Sequence, residues 1–271
     1  MNASWNRRWL CALLALAAGC ASQAAKPPTP VAATAVAPPV SAPAAAAYFS
    51  ADQLDSIALI EPPPEAGSDA ARADMQAVLD AQRGAHTAGT TARAVADSAL
   101  DCQRVADVLA PALPAKGDGA DAVAFATRAA KQASGAAGAP KRHWARPRPF
   151  IVNTAVERLA DVAPESPFSI AGGYERDHTS YPSGHMTFGT ACAIVLSQMV
   201  PEQRAALFER ARLYGESRLI VGAHFPTDVD AGRRVGTAAA GVMLQSAQFQ
   251  ADLRAARAQL RGALGLPQIA P

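Results

Sequence analysis

The chain has 271 residues, half of them hydrophobic and 18% charged, with 25 basic against 23 acidic side chains and a net charge of +2. A balance so close to neutral excludes a basic nucleic-acid-binding protein and provides no general attraction to an anionic membrane, so any functional positive charge must be local. Residues 48–271 are enough for one domain with a sizeable core, and no second shift in composition argues for another.

In chain order, Arg7 and Arg8, an apolar run at 9–18 and small residues after it read as an export signal over residues 1–19. The run is shorter than the ~20 residues a membrane span requires. The arginine pair suggests twin-arginine export, although the residues that follow give that route little support. Loss of Arg7 and Arg8 with the signal leaves 23 charges of each sign. Gly19-Cys20 fits a lipoprotein site, with Cys20 as a lipid anchor. Against this, Ala17 stands where such sites usually carry Leu, and Ser22-Gln23-Ala24 offers an ordinary cleavage site. Either reading places the mature protein in the periplasm, the first tied to the outer membrane. Residues 20–47 are rich in Ala and Pro and almost uncharged. Such a composition cannot bury a core, and we read it as a tether, with low-complexity filler as the plain alternative.

Helical periodicity follows at about 68–84, 90–109, 120–134, 183–200, 201–221 and 227–248, with a charged tail helix to about 264. Strand-like alternation is nearly absent, so the expected fold is an all-α, single-domain helical bundle. The segment from Met186 is apolar on nearly every side, as a central helix should be. Gly232, Gly236 and Ala240 recur at every fourth residue, a stripe on which another helix can come close. Of the four cysteines, Cys11 lies in the signal, and Cys102 and Cys192 remain in the domain. They form either a disulfide or two buried thiols; the apolar setting of Cys192 favours the thiols.

Chemistry concentrates in residues 180–228 and in a basic piece just before them. Tyr181-Pro182-Ser183-Gly184-His185 opens the central helix: Pro182 disfavours helix before it, Ser183 is a good N-cap and Gly184 lets a ligand approach the backbone. Free N–H groups and the positive end of the helix dipole then favour an anion beside His185. Further on, Pro226 stiffens the junction that presents His224, and Asp228, four residues later, can accept from one ring nitrogen and hold the imidazole. Lys141 and Arg148 add positive charge, Arg148 as a fork suited to phosphate oxygens. His86, His143 and His178 read as structural, with substrate gating as the alternative for His178. Arg146 reads either as a residue behind the site or as a surface charge.

The pattern of Lys141, six residues, Arg148-Pro149; Pro182-Ser183-Gly184-His185; and Ser217-Arg218, five residues, His224, three residues, Asp228 resembles the tripartite signature of the phosphatidic acid phosphatase type 2 (PAP2) / vanadium haloperoxidase superfamily. The flanks Arg146-Pro147-Arg148-Pro149-Phe150, Ser180-Tyr181 and Asp228-Val229-Asp230-Ala231 are similar to those of bacterial class A non-specific acid phosphatases, as is Ile60-Glu61-Pro62-Pro63-Pro64. The likeness runs from about residue 59 to 250. One departure is Met186, where the family usually has Thr.

This resemblance implies a helical fold of the PAP2 / haloperoxidase type and a metal-independent acid phosphatase acting on small phosphomonoesters of broad range, with no cofactor. His224 would be the nucleophile, Asp228 its orienter and His185 the general acid; Lys141, Arg148, Ser183, Gly184 and Arg218 would hold the phosphoryl oxygens. The chain shows no metal-ligand spacing such as HExxH or paired CxxC. One histidine must be charged and the other neutral, which implies a bell-shaped rate profile on the acid side. The resemblance also implies a homo-oligomer, since such relatives are often dimers or larger. Two alternatives share the anion site: a lipid phosphate phosphatase acting from the periplasmic side, and a vanadium-dependent haloperoxidase. A phosphate-binding protein without turnover would need the cations but not two histidines and an orienting carboxylate.

Overall fold

The computed structural model describes residues 47–109, 113, 116–159 and 179–269. The export signal, Cys20, most of the tether and His178 lie outside the described residues. Ten α-helices occur among these residues, and no strand: α1 (Asp69–Ala88), α2 (Thr91–Ala96), α3 (Gln103–Ala106), α4 (Asp118–Ser134), α5 (Gly138–Trp144), α6 (Pro149–Val152), α7 (Gly184–Met199), α8 (Arg204–Ile220), α9 (Pro226–Met243) and α10 (Ala247–Ala263). The all-α expectation therefore holds. No helix among the described residues is long and apolar enough to cross a membrane.

Helix α7 is the axis of the bundle, packed by α9, α4, α8 and α10. Its apolar circumference explains this: Phe188, Ala191, Cys192, Ala193, Leu196 and Met199 are all fully buried, so the hydrophobic effect favours neighbours on every side. The helix begins at Ser183, whose Oγ accepts from Met186 N at 3.2 Å. It stops where Pro201 forces Val200 out of helical geometry. The small-residue stripe of α9 does what its spacing suggested. A Cβ on Gly236 would meet the Thr187 carbonyl oxygen at 2.5 Å, and one on Gly232 would overlap the Ser183 carbonyl. Only glycine lets α9 lie that close to α7. Met186, the departure from the family pattern, is buried with its thioether directly over Gly215 of α8; a flexible side chain fills the room that a second glycine leaves.

Three expectations need correction. The helix read over 90–109 is broken into α2 and α3, because the chain between them is drawn into side-chain contacts with α8. The pattern read over 227–248 ends at Met243, and Ser246 caps a new helix by accepting from Phe249 N at 3.3 Å. Cys102 and Cys192 are not free thiols: they are disulfide-bonded, with Cα atoms 5.5 Å apart and 90 residues between them in sequence. The apolar setting of Cys192 was real, since both cysteines are fully buried, but it does not distinguish a thiol from a disulfide. Helices α5 and α6 carry no periodic pattern long enough to be read from sequence.

Candidate active site

The loop that carries His224 starts at Gly222, whose φ of 74° is a left-handed geometry that favours glycine. A Cβ there would also press on the Glu157 carbonyl. On either side of His224, Ala223 and Phe225 bury themselves in two different apolar clusters, which leaves the imidazole between them turned toward the polar side chains. Its Nδ1 is 3.4 Å from Asp228 Oδ2 and its Nε2 is 3.3 Å from Arg148 Nη1.

Asp228, in the first turn of α9 and fully buried, is the most heavily engaged carboxylate of the site. Oδ2 also accepts from Phe225 N at 2.9 Å and from the Ser180 hydroxyl. Oδ1 accepts from Arg146 Nη1 at 2.7 Å. Arg146, only 8% exposed, is thereby settled as a residue behind the site. Its other nitrogen reaches Asp74 of α1 at 2.8 Å, and the guanidinium lies 4.0 Å over the Phe225 ring. Asp74 also accepts from Thr227 N at 3.3 Å and from the Thr227 hydroxyl. Asp228 is thus held from α1 through Arg146. Asp74 went unnoticed in sequence because an acidic residue within an amphipathic helix reads as solvated surface.

The predicted cations converge on the same place. Lys141 Nζ donates to the carbonyls of Thr179 and, at 3.4 Å, Ser180. Arg148 Nη1 donates to Ala223 O at 2.7 Å. Arg218, in the last turn of α8, donates through Nη1 to Ser98 Oγ at 2.8 Å, while its buried Nε has no partner among the described residues. All three are at most 4% exposed. Ser183 N donates to Asp228 O at 2.8 Å and joins the start of α7 to the start of α9. His185 follows, with Nε2 3.0 Å from the carbonyl oxygen of Ser98. Ser98 is the second residue that pattern reading missed, since it sits inside what looked like an unbroken helix. His86 and His143, read as structural, are exposed.

Burial sets the electrostatics. His224 is pushed well below the ordinary histidine pKa by desolvation, then by Arg148, Lys141 and Arg218. His185 is pushed the same way by desolvation and by Arg218, with His224 and Arg148 adding to it and the Ser98 carbonyl opposing. The backbone of Ser180 opposes the shift of His224 without cancelling it. Lys141 is also driven well below its usual value, by burial and by Arg148, and burial brings Arg218 down to about 10. Three buried cations around two imidazoles make a site whose free energy falls when an oxyanion enters.

The three sequence motifs thus meet at one buried site, and the comparisons agree with them. The PAP2 superfamily profile matches residues 122–252. A non-specific acid phosphatase of Providencia stuartii is 30% identical over 208 residues, 75% of this chain and 80% of its own. A non-specific acid phosphatase of Salmonella typhimurium is 38% identical over 121 residues, 44% of each chain, and an acid phosphatase of Zymomonas mobilis is 31% identical over 126 residues, 46% of this chain and 44% of its own. The matches to the last two span less than half of those proteins' length. The Providencia match reaches well beyond the three motifs and across most of both chains, and on that basis the chain belongs to the PAP2 superfamily, among its bacterial class A non-specific acid phosphatases.

Proposed function

We propose that this protein is an exported acid phosphatase that hydrolyses phosphate monoesters of broad range, without a metal, through a phosphohistidine on His224. The reading is supported above all by the two ends of that imidazole: Nδ1 is directed at Asp228, so Nε2 keeps its lone pair toward the guanidinium of Arg148. Lys141, Arg148, Arg218 and the N–H groups at the start of α7 receive the phosphoryl oxygens and offset the charge that phosphoryl transfer spreads over them. Nε2 of His224 then forms a bond to phosphorus as the ester P–O bond breaks, and protonated His185 gives its proton to the departing oxygen. In the second half, His185 takes a proton from water as the water oxygen attacks phosphorus; the P–N bond breaks and inorganic phosphate leaves. The buried cations supply the neutralisation that a metal supplies in other phosphatases.

Trapping tests this. With substrate labelled in its phosphoryl group, acid-sensitive and base-stable label should stay on the wild-type protein after rapid quenching and be absent from His224→Ala, with kcat lower by at least about a thousandfold. Normal turnover by that variant would end the nucleophile assignment. Vanadate should inhibit, and EDTA should leave the rate unchanged. Export and anchoring are part of the proposal: the mature N-terminus, read by mass spectrometry, should be either lipidated Cys20 or a free residue after Ala24.

A further inference from the structure

Between α2 and α3 the chain leaves helical geometry over residues 97–102, and the polar groups of Asp97, Ser98 and Ala99 are met in large part by one face of α8. Asp97, fully buried, accepts from both terminal nitrogens of Arg210 and from Ser217 Oγ at 2.7 Å. The Ala99 carbonyl accepts from Tyr214 Oη at 2.8 Å. Arg210, Tyr214 and Ser217 follow one another at spacings of four and three, so a single helix face grips the segment. At its far end, Cys102 is bonded to Cys192 of α7, two turns beyond His185. Between these fixings stands Ser98, with Oγ accepting from Arg218 and its carbonyl oxygen 3.0 Å from His185 Nε2.

A carbonyl oxygen can only accept, so Nε2 of His185 carries a hydrogen, and Nδ1 is the nitrogen left to exchange a proton with a ligand. We infer that residues 97–102 form a positioning arm whose Ser98 selects the His185 tautomer with a reactive Nδ1 and, through its hydroxyl, sets the Arg218 fork against the phosphoryl group. The inference rests on the reading of His185 as the acid–base group. In the first half-reaction the proton on Nδ1 passes to the ester oxygen as its bond to phosphorus breaks; in the second, Nδ1 takes a proton from the attacking water. Nε2 keeps its hydrogen bond to Ser98 throughout. Arg218, Arg148 and His224 face His185 and disfavour its cation, and the Ser98 carbonyl favours it. Release of the arm therefore weakens the acid more than it weakens phosphate binding.

Leaving-group dependence reads this directly, because a 4-nitrophenolate departs without a proton and an alkoxide does not. The kcat/KM values for glycerol 2-phosphate and 4-nitrophenyl phosphate should be compared across variants, since kcat/KM ends with the phosphorylation step. Asp97→Asn should lower the alkyl-to-aryl ratio by about tenfold, part of the ~10²–10⁴-fold that general acid catalysis supplies, and move the alkaline limb of the alkyl profile to lower pH. Tyr214→Phe, which removes one hydroxyl and keeps the fold should Asp97→Asn not, should lower the ratio about threefold. His185→Ala should show the same selectivity at larger size. Equal losses with both substrates in the arm variants, beside a selective His185→Ala, would overturn the arm alone. A His185→Ala without selectivity would overturn the acid assignment and the arm with it.

Discussion

His185 and His224 are 6% and 2% exposed and face three buried cations, so without a bound anion both are held neutral. Their folded pKa values lie well below 6.5 while the unfolded chain titrates near 6.5. Below about pH 6.5 the unfolded state therefore binds more protons than the folded one. Stability is complete above that value and falls as the pH drops toward the folded values, by about 1 kcal/mol per histidine per pH unit. A bound phosphate reverses the balance, because its charge favours the imidazolium that the acid step requires. The melting temperature of the ligand-free protein should thus drop between pH 7 and pH 5, and saturating phosphate should recover more of it at pH 5 than at pH 7. An unchanged or rising melting temperature on acidification would contradict the burial argument. The same scale explains Arg146 and Asp74: the chain Asp74–Arg146–Asp228 shares one positive charge between two negative ones. Removal of one member of such a buried set leaves an unpaired charge, at a cost of about 3–5 kcal/mol.

Three of the site's side chains hang on the ends of packed helices. His185 starts α7, Arg218 ends α8 and Asp228 starts α9, and the separation of α7 from α9 sets the spacing between the two histidines. That separation depends on glycine. Gly236→Ala places a methyl group against the backbone of Thr187, which cannot rotate away, so the helices must part. Overpacking of this kind costs about 1–3 kcal/mol. Urea unfolding of Gly236→Ala should show that loss, and kcat should fall with it because Asp228 and His224 ride on α9 and the loop before it. A substitution of similar size at Gly241, where no atom lies within 4 Å of a built Cβ, should be neutral or slightly stabilising, since it removes glycine from a helix interior.

Across the whole molecule the disulfide joins segments 90 residues apart, and closing a loop of that length in the unfolded chain is worth about 4–5 kcal/mol by the chain-entropy argument. The Cys102→Ala/Cys192→Ala double variant should lose stability of that order in denaturant titrations; a change below about 1 kcal/mol would mean the bond does not form. Buried as it is, the bond should resist reductant until the protein unfolds. Much of this protein was legible from local pattern alone. Periodicity marked the long helices and the all-apolar stretch marked α7 as the axis, because helix phase and turn chemistry depend on neighbours in sequence, whereas the candidate site was named from three separate motifs and their family resemblance. Contacts between distant residues left no such trace. Asp74 reaching Arg146, Ser98 bent out of a helical pattern toward His185, and Cys102 meeting Cys192 depend on where α1, α7 and α8 come to lie, and packing energy overrides local propensity at those places.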